Sequence, residues 1–263
     1  MIRALYSAAS GMNAQQINVD DIANNLANAN TAGYKMRRTE FQDLVYQNLI
    51  QPGAASGAQS TVPAGLQIGL GARPASNEII QTQGSLVQTQ NSLDLAIQGK
   101  GFFQIKQADG TLAYTRDGSF QLDKSGNLVN SDGLLVDPQI TIPAQATSVT
   151  IAADGTVSYN LPGTNASQVA GQIQLANFQN PAGLNSLGGN LYAPTDASGQ
   201  PIVGNPGGSD GLGTLMQGYQ EQSNVNVVEE FINLIQSQRA YEANSKVVKA
   251  ADEMYQQINN LKQ

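Results

Sequence analysis

Apolar residues recur every seven positions at both ends of this chain, and that repeat restricts the fold more than any other feature. From Met1 to about Asn30, Leu5, Met12, Val19 and Leu26 hold one register, while Met1, Ala8, Gln15 and Ile22 hold a second. Alternating three-four spacing of this kind specifies a coiled-coil helix. At ~1.5 Å per residue such a helix runs about 45 Å, more than the width of a small domain. It therefore needs an equally long partner.

The far end of the chain supplies one. Asn226-Val227-Val228-Glu229 has the residue types and spacing of a capping box, and Glu230 is placed favourably against the positive end of a helix dipole. Beyond it, Val227, Phe231, Leu234, Tyr241, Val248 and Tyr255 form one stripe, and Ala240, Val247, Ala251, Met254, Ile258 and Leu261 form an adjacent one. A face that wide can pack on its own partner and retain apolar surface for another molecule, which points to assembly. The alternative is that both helices rest on the rest of the chain as an ordinary core. Gly11 interrupts the first stripe at a cost of about 1 kcal/mol relative to Ala, so it marks either a close helix approach or a tolerated weak spot.

Between the helices the pattern changes. Gln51 to Arg73 is rich in Gly, Ala, Pro and Ser and reads as an extended connection. From Leu93 onward, period-two alternation takes over, as in Leu93, Leu95, Ile97, then Phe103, Ile105, then Val157, Tyr159, Leu161, which predicts half-buried strands. Asp109-Gly110, Asp117-Gly118, Asp132-Gly133 and Asp154-Gly155, with Ser125-Gly126 in the same rhythm, suit tight turns with positive φ between antiparallel strands. A second Gly/Pro/Asn-rich stretch, Gly183 to Gly213, leads out again.

The expected fold is α+β: long N- and C-terminal helices paired as a coiled coil, an extended connection, and a mainly antiparallel β middle domain. The expected boundaries are 1–35 and 225–263 for the helical part, 36–80 and 183–224 for the connecting segments, and 81–182 for the β domain.

Composition narrows the chemistry. The 263 residues include no Cys, His or Trp, which removes disulfide, thiolate and imidazole chemistry and most transition-metal sites. No metal, cofactor or catalytic residue is expected. The formal net charge of -7 offers no long-range attraction to nucleic acid or anionic lipid. No apolar run reaches the ~18 residues of a membrane span. Ser7, Ser10 and Asn13 break up any signal-peptide core, so the N-terminus reads as part of the mature protein. The carboxylates Asp109, Asp117, Asp123, Asp132 and Asp154 could be imagined as an acid/base pair for glycoside hydrolysis, but each lies in or beside a Gly-containing turn, where Asp serves the backbone. Gly69-Leu70-Gly71 and Gly99-Lys100-Gly101 complete no phosphate-binding motif. Lys35, Arg37 and Arg38 form the only basic cluster and lack an aromatic platform for nucleic acid.

The first helix finishes in ANNLANANTAGYK, Ala23 to Lys35, with Asn24, Asn25, Asn28 and Asn30 where an apolar stripe should continue. Asn30-Thr31-Ala32-Gly33 fits a helix C-terminus with Gly33 as a left-handed cap. Asn24, Asn25 and Asn28 lie too far back to serve that cap, and their amides could fix register between helices.

Several stretches resemble the flagellar rod and hook family of axial proteins: ANNLANANTAGYK with MRRTEFQDLVYQ, LAIQGKGFFQI, AYTRDGSFQLDKSGNLV, and GYQEQSNVNVVEEFINLIQSQRAYEANSKVVKAADEM. The likeness covers nearly the whole chain, and length together with Gln51 to Pro74 is more similar to the distal rod than to the proximal rod or the longer hook protein.

The resemblance implies a non-enzymatic structural subunit, passed through the flagellar export apparatus and polymerised with copies of itself into a helical tube. That tube would transmit torque across the periplasm, with proximal-rod proteins below, hook-side proteins above and ring proteins around it. Its terminal helices would form the inner wall and its β domain the outer, with no direct membrane insertion. The expected assembly seam is Leu5, Met12, Val19, Ile22, Leu26, Phe231, Leu234, Tyr241, Val247, Val248, Met254 and Ile258, and the family motif at the helix end is Asn24, Asn25, Asn28, Asn30, Gly33 and Tyr34. Another rod or hook protein, or a secreted β-rich binding module on a helical stalk, is the alternative.

Overall fold

The computed structural model describes residues 2–53, 55–57, 60–61, 63–163, 166–208 and 211–260. Met1 and Leu261, two members of the expected stripes, lie outside them. The chain divides into two compact units: Met1–Ala27, Arg37–Glu78 and Asn226–Gln263 make the first, and Asn28–Met36 with Ile79–Val225 the second. These divisions differ from the expected 35/36 and 182/183. The helix-end motif is cut between Ala27 and Asn28, and segment 183–224 belongs wholly to the second unit.

The helical unit holds α1 (Ile2–Ala27) and α2 (Val227–Asn260), which pack on one another. α2 starts where its cap sequence places it: Asn226 Oδ1 accepts from Val228 N–H at 3.2 Å and Glu229 N–H at 3.4 Å, satisfying two orphan donors of the first turn. α1 stops at Ala27, short of Asn30. The expected extended connection is a nested ladder: Arg37–Asp43 pairs with Ala72–Ile79, Tyr46–Ile50 runs antiparallel to Leu66–Gly69, and Ala55–Gly57 to Ser60–Thr61. Its outer rungs carry little burial, and every residue of Tyr46–Ile50 is exposed.

The β unit is mainly antiparallel. Its largest sheet is built around Phe102–Lys106, which pairs with Leu112–Thr115 on one side and with Leu135–Asp137 and Leu175–Asn177 on the other. Strict alternation predicts a half-buried strand here, yet Phe102, Phe103, Gln104 and Ile105 are all buried because both faces of the sheet are covered. Phe103 and Ile105 join Leu95, Ile97, Phe120 and Val136 in one core cluster. Phe102 joins Tyr114, Phe178 and Tyr192 in a second, with edge-on ring pairs such as Tyr114–Phe178 at 4.8 Å.

Gly110, Gly126, Gly133 and Gly155 take the positive φ expected of their turns, whereas Gly118 does not. A Cβ on Gly118 would lie 1.7 Å from the Leu95 carbonyl oxygen, so that glycine is required by close backbone approach. Segment 183–224, expected as a connection, contributes Asn185–Gly188, Leu191–Ala193, Ile202–Gly204, Thr214–Gln217 and Tyr219–Glu221 to sheets.

Candidate functional site: the helix pair and its exposed stripe

Three contacts fix how α1 meets α2. A Cβ on Gly11 would stand 2.8 Å from Asn244 Nδ2, Asn18 Nδ2 donates to Ser237 Oγ at 2.8 Å, and Asn25 Nδ2 donates to Glu230 Oε2 at 3.1 Å. Each step advances seven residues along α1 and retreats seven along α2, so the helices run antiparallel in a fixed register. Gly11 thus serves close approach, the first of its two readings. The line of contact is made of small and polar residues: Asn25, Glu230 and Ser237 are buried at 1%, 4% and 4% exposure.

Asn25 is the hub of this line. Its Nδ2 also donates to the Arg37 carbonyl oxygen at 2.8 Å, and its Oδ1 accepts from Arg37 N–H at 2.9 Å. One amide therefore ties α1 to α2 and to the first strand of the ladder, a task that needs donors and an acceptor on one side chain. One turn earlier, Asp21 accepts from Asn77 Nδ2 at 2.6 Å and from the Thr39 hydroxyl, holding α1 to both strands of the Arg37–Asp43 and Ala72–Ile79 pair. Alanine at 25 would leave Glu230 buried without this partner, which costs more than the bond itself contributes.

The apolar residues singled out by periodicity divide: Ala8 and Ala251 are buried, and Ala251 and Ile258 continue the seven-residue register of Glu230, Ser237 and Asn244. Among them Ile22 is buried, Leu5, Met12, Val19, Leu26, Leu234 and Val248 are half-buried, and Phe231, Tyr241, Val247, Met254 and Ile258 are exposed, between 43% and 48%. Val228, Ile232 and Ile235 are exposed as well. Val19 and Tyr241 line an open groove of about 390 Å³ together with Gln16, Gln238 and Glu242. What periodicity passes over is the polar line of Asn18, Glu230, Ser237 and Asn244. The signal was present, since Gly11, Asn18 and Asn25 on one helix and Glu230, Ser237 and Asn244 on the other keep the same spacing of seven.

The remaining motif residues separate. Asn24 and Asn30 are exposed, and Asn28 Oδ1 accepts from the Thr31 hydroxyl at 3.1 Å. Tyr34 is half-buried, with its N–H directed to the Thr31 carbonyl oxygen at 3.3 Å. Gly33 has the left-handed φ of 67° expected of it, but it does not cap α1. Its N–H donates to the Glu221 carbonyl oxygen at 2.8 Å, and a Cβ there would meet the Asp117 nitrogen at 2.6 Å. Lys35 follows, fully buried within the β unit: its Nζ lies 2.6 Å from Glu221 Oε1 and donates to the Thr82 carbonyl oxygen at 2.7 Å. Burial pushes the Lys35 amine below the usual lysine range, against the opposing pull of Glu221.

The turn aspartates mostly serve their own turns. Asp109 takes bonds from Thr111, Asp123 from Ser125 and Asn127, and Asp154 from Thr156. Asp117 and Asp132 do line one cavity of about 190 Å³. There, Asp117 Oδ1 is occupied by the Ser119 N–H at 3.0 Å and hydroxyl at 2.6 Å. No group of three or more potential metal ligands occurs among the described residues, and no described helix is long and apolar enough to cross a membrane.

A polar, register-setting contact line between two long helices, with apolar side chains left exposed on α2 and no catalytic arrangement among the described residues, is the geometry of a structural protein. Three family models agree: "Flagella basal body rod protein" matches residues 5–35, "Flagellar hook protein FlgE/F/G D1 domain" 96–159, and "Flagellar basal body rod FlgEFG protein C-terminal" 216–261. The flagellar basal-body rod protein FlgG of Buchnera aphidicola from Acyrthosiphon pisum is 50% identical over 99% of this chain and all of its own length. That of Borreliella burgdorferi is 47% identical over 100% of this chain and 99% of its own, and that of Bacillus subtilis 41% identical over the full length of both. A Helicobacter pylori hook protein, FlgE2, aligns with a TM-score of 0.25 at 16% identity over 71% of this chain and 43% of its own, too distant to inform the fold. The chain belongs to the flagellar rod and hook family of axial proteins.

Proposed function

We propose that this chain is a structural subunit of the flagellar basal-body rod that polymerises with copies of itself into the distal part of the rod and carries torque toward the hook. The observation that bears most weight is the apolar face that the first turns of α2 leave exposed at Val228, Phe231, Ile232 and Ile235, with Val247, Met254 and Ile258 exposed further along the helix. Exposed apolar side chains clustered on the first turns of a 34-residue helix suit coverage by identical neighbours, each burial contributing about 25 cal/mol per Å². In this reading α1 and α2 continue as a coiled coil in the inner wall of a tube, the ladder 37–79 stiffens contacts between copies, and the seam residues act collectively. Other rod and hook proteins adjoin it at the ends, ring proteins surround it, and the export apparatus delivers it across to the periplasm. It performs no catalysis.

A β-rich binding module on a stalk would leave the stripe unexplained. An acid/base pair of Asp117 and Asp132 would have to work with one carboxylate already engaged by Ser119.

Electron microscopy of the assembled protein tests the proposal. A hollow helical tube with the paired terminal helices lining its channel is the expected result, and a discrete globular particle at high concentration would overturn it.

A further inference from the structure

One buried cluster of the β unit holds two cations and a single carboxylate. Lys35, Arg116 and Glu221 form one cluster, with Lys35 Nζ 2.6 Å from Glu221 Oε1 and Arg116 Nη1 3.6 Å from Glu221 Oε2. Two cations share one carboxylate. Glu221 Oε1 is further engaged by Gly84 N–H at 2.9 Å. The Arg116 guanidinium, 5% exposed, donates from Nη2 to the Gly99 carbonyl oxygen at 2.7 Å and sits 5.6 Å from the centre of the Phe102 ring. Its Nε and Nη1 have no hydrogen-bond partner among the described residues, and neither has Glu221 Oε2, which Nη1 faces at 3.6 Å as an ion pair. Burial holds the guanidinium below the usual arginine range, with Glu221 opposing.

A cavity of about 150 Å³ opens beside Arg116. Arg116, Gln81, Lys100, Phe102 and Phe178 line it. Gln81 contributes a second unpartnered group, since both its Nε2 and Oε1 are buried without a hydrogen bond among the described residues. Lys100 is exposed and so sets a mobile cation at the rim. The volume holds about five waters, or one acetate-sized group in their place. Buried donors without hydrogen-bond partners, a guanidinium that shares its one carboxylate with Lys35, a rim ammonium and aromatic walls are the features of a carboxylate site.

We infer that this cavity binds a carboxylate, seated between Arg116, Gln81 and Lys100, which supplies the negative charge the buried cluster lacks. The carboxylate can come from a free acid or from an Asp or Glu side chain of a second copy, and the chemistry of recognition is the same. Exposed Lys100 contributes by screened attraction, the buried groups by charge-assisted hydrogen bonds.

The Nε–H resonance of Arg116, one of six arginines and therefore resolvable in a ¹H–¹⁵N spectrum of the full-length monomer, reads the site directly. Acetate should shift it saturably, with millimolar affinity, while sodium chloride at equal ionic strength and acetamide should not. Lys100→Ala, which removes an exposed side chain and leaves the fold intact, should weaken the affinity about two- to fivefold. Gln81→Leu should weaken it further. A resonance that ignores acetate, or that follows chloride equally, overturns the assignment. Carbodiimide cross-linking of the assembled protein then separates the sources: a Lys100 amide bond to an Asp or Glu of another copy assigns the site to assembly, and a positive acetate titration without that bond assigns it to a free acid. The rod reading stands or falls on tube formation, independently of either titration.

Discussion

The two units of this chain differ in what they bury and what they leave exposed. The β unit buries Leu95, Ile97, Phe103, Ile105 and Phe120 and keeps its turn carboxylates in water. The helical unit buries Asn25, Glu230 and Ser237 alongside the small or apolar Ala8, Ala14, Ile22 and Ala251, and leaves Phe231, Ile232, Ile235 and Met254 in water. Apolar burial drives folding, whereas a polar line chiefly selects one register out of several. The β unit is therefore equipped to be stable as a single copy, and the helical unit to be completed by others.

The strongest way to break the comparison is to damage the β core. Phe103→Ala removes a fully buried ring that stands edge-on to Phe120 at 5.0 Å, and should cost about 3–5 kcal/mol, a large share of a typical domain stability. Thermal unfolding of the monomer should show a fall of many degrees in the main transition; a shift no larger than that of a surface mutant would mean the core is not where the stability lies.

Next comes the polar line. Asn25→Asp loses both donated bonds and sets a carboxylate against Glu230, so it should cost about 1–3 kcal/mol locally and abolish assembly while the β unit melts as before. Amide exchange would check this, through faster exchange confined to 2–27 and 227–260. If exchange in α1 and α2 were unchanged, the register line would be dispensable.

A third test uses acid. Local hydrogen bonds hold Asp109, Asp123 and Asp154 below the ordinary carboxylate value of 3.8, led by the Thr111 hydroxyl, the Asn127 N–H and the Thr156 N–H respectively. Above 3.8 both folded and unfolded forms are ionised and the stabilisation is complete. Below it the unfolded chain takes up protons first, so stability drains away as pH falls through the depressed folded values. Asp123→Asn should flatten the acid limb of the stability–pH curve, and an unaltered limb would remove these turns from the account.

The smallest effect on the monomer should come from the stripe. Phe231→Ser should change monomer stability by no more than about 0.5 kcal/mol, because the ring is 47% exposed, yet it should raise the concentration needed for polymerisation. Light scattering against concentration measures the second quantity. Equal polymerisation of the variant would sink the stripe as an assembly surface. Leu26→Ala, half-buried, should fall between these extremes rather than reach the ~2–5 kcal/mol of a fully buried leucine.

Much of this architecture is legible locally. Period seven marks both helices, Asn226 marks the start of α2, and the Asp-Gly and Ser-Gly pairs mark turns whose glycines take positive φ, with Gly118 the exception. The candidate site is legible only in part. Both the apolar and the polar positions of α1 and α2 repeat every seven residues, so spacing alone cannot say which line faces the partner helix. Hydrophobicity suggested Phe231 and Tyr241, and the fold chose Ser237 and Asn244.

By itself the sequence determined what depends on neighbours along the chain: helix, turn, cap and the alternation of strands, each governed by backbone sterics and local hydrogen bonds. Tertiary structure decided what depends on residues far apart meeting. It placed Asn25 against Glu230, carried Gly33 and Lys35 to Glu221 in the β unit, and gathered Gln81, Lys100 and Arg116 around one cavity. Those contacts span gaps of up to 205 residues, and a short-range pattern holds no record of partners that only folding brings within hydrogen-bond reach.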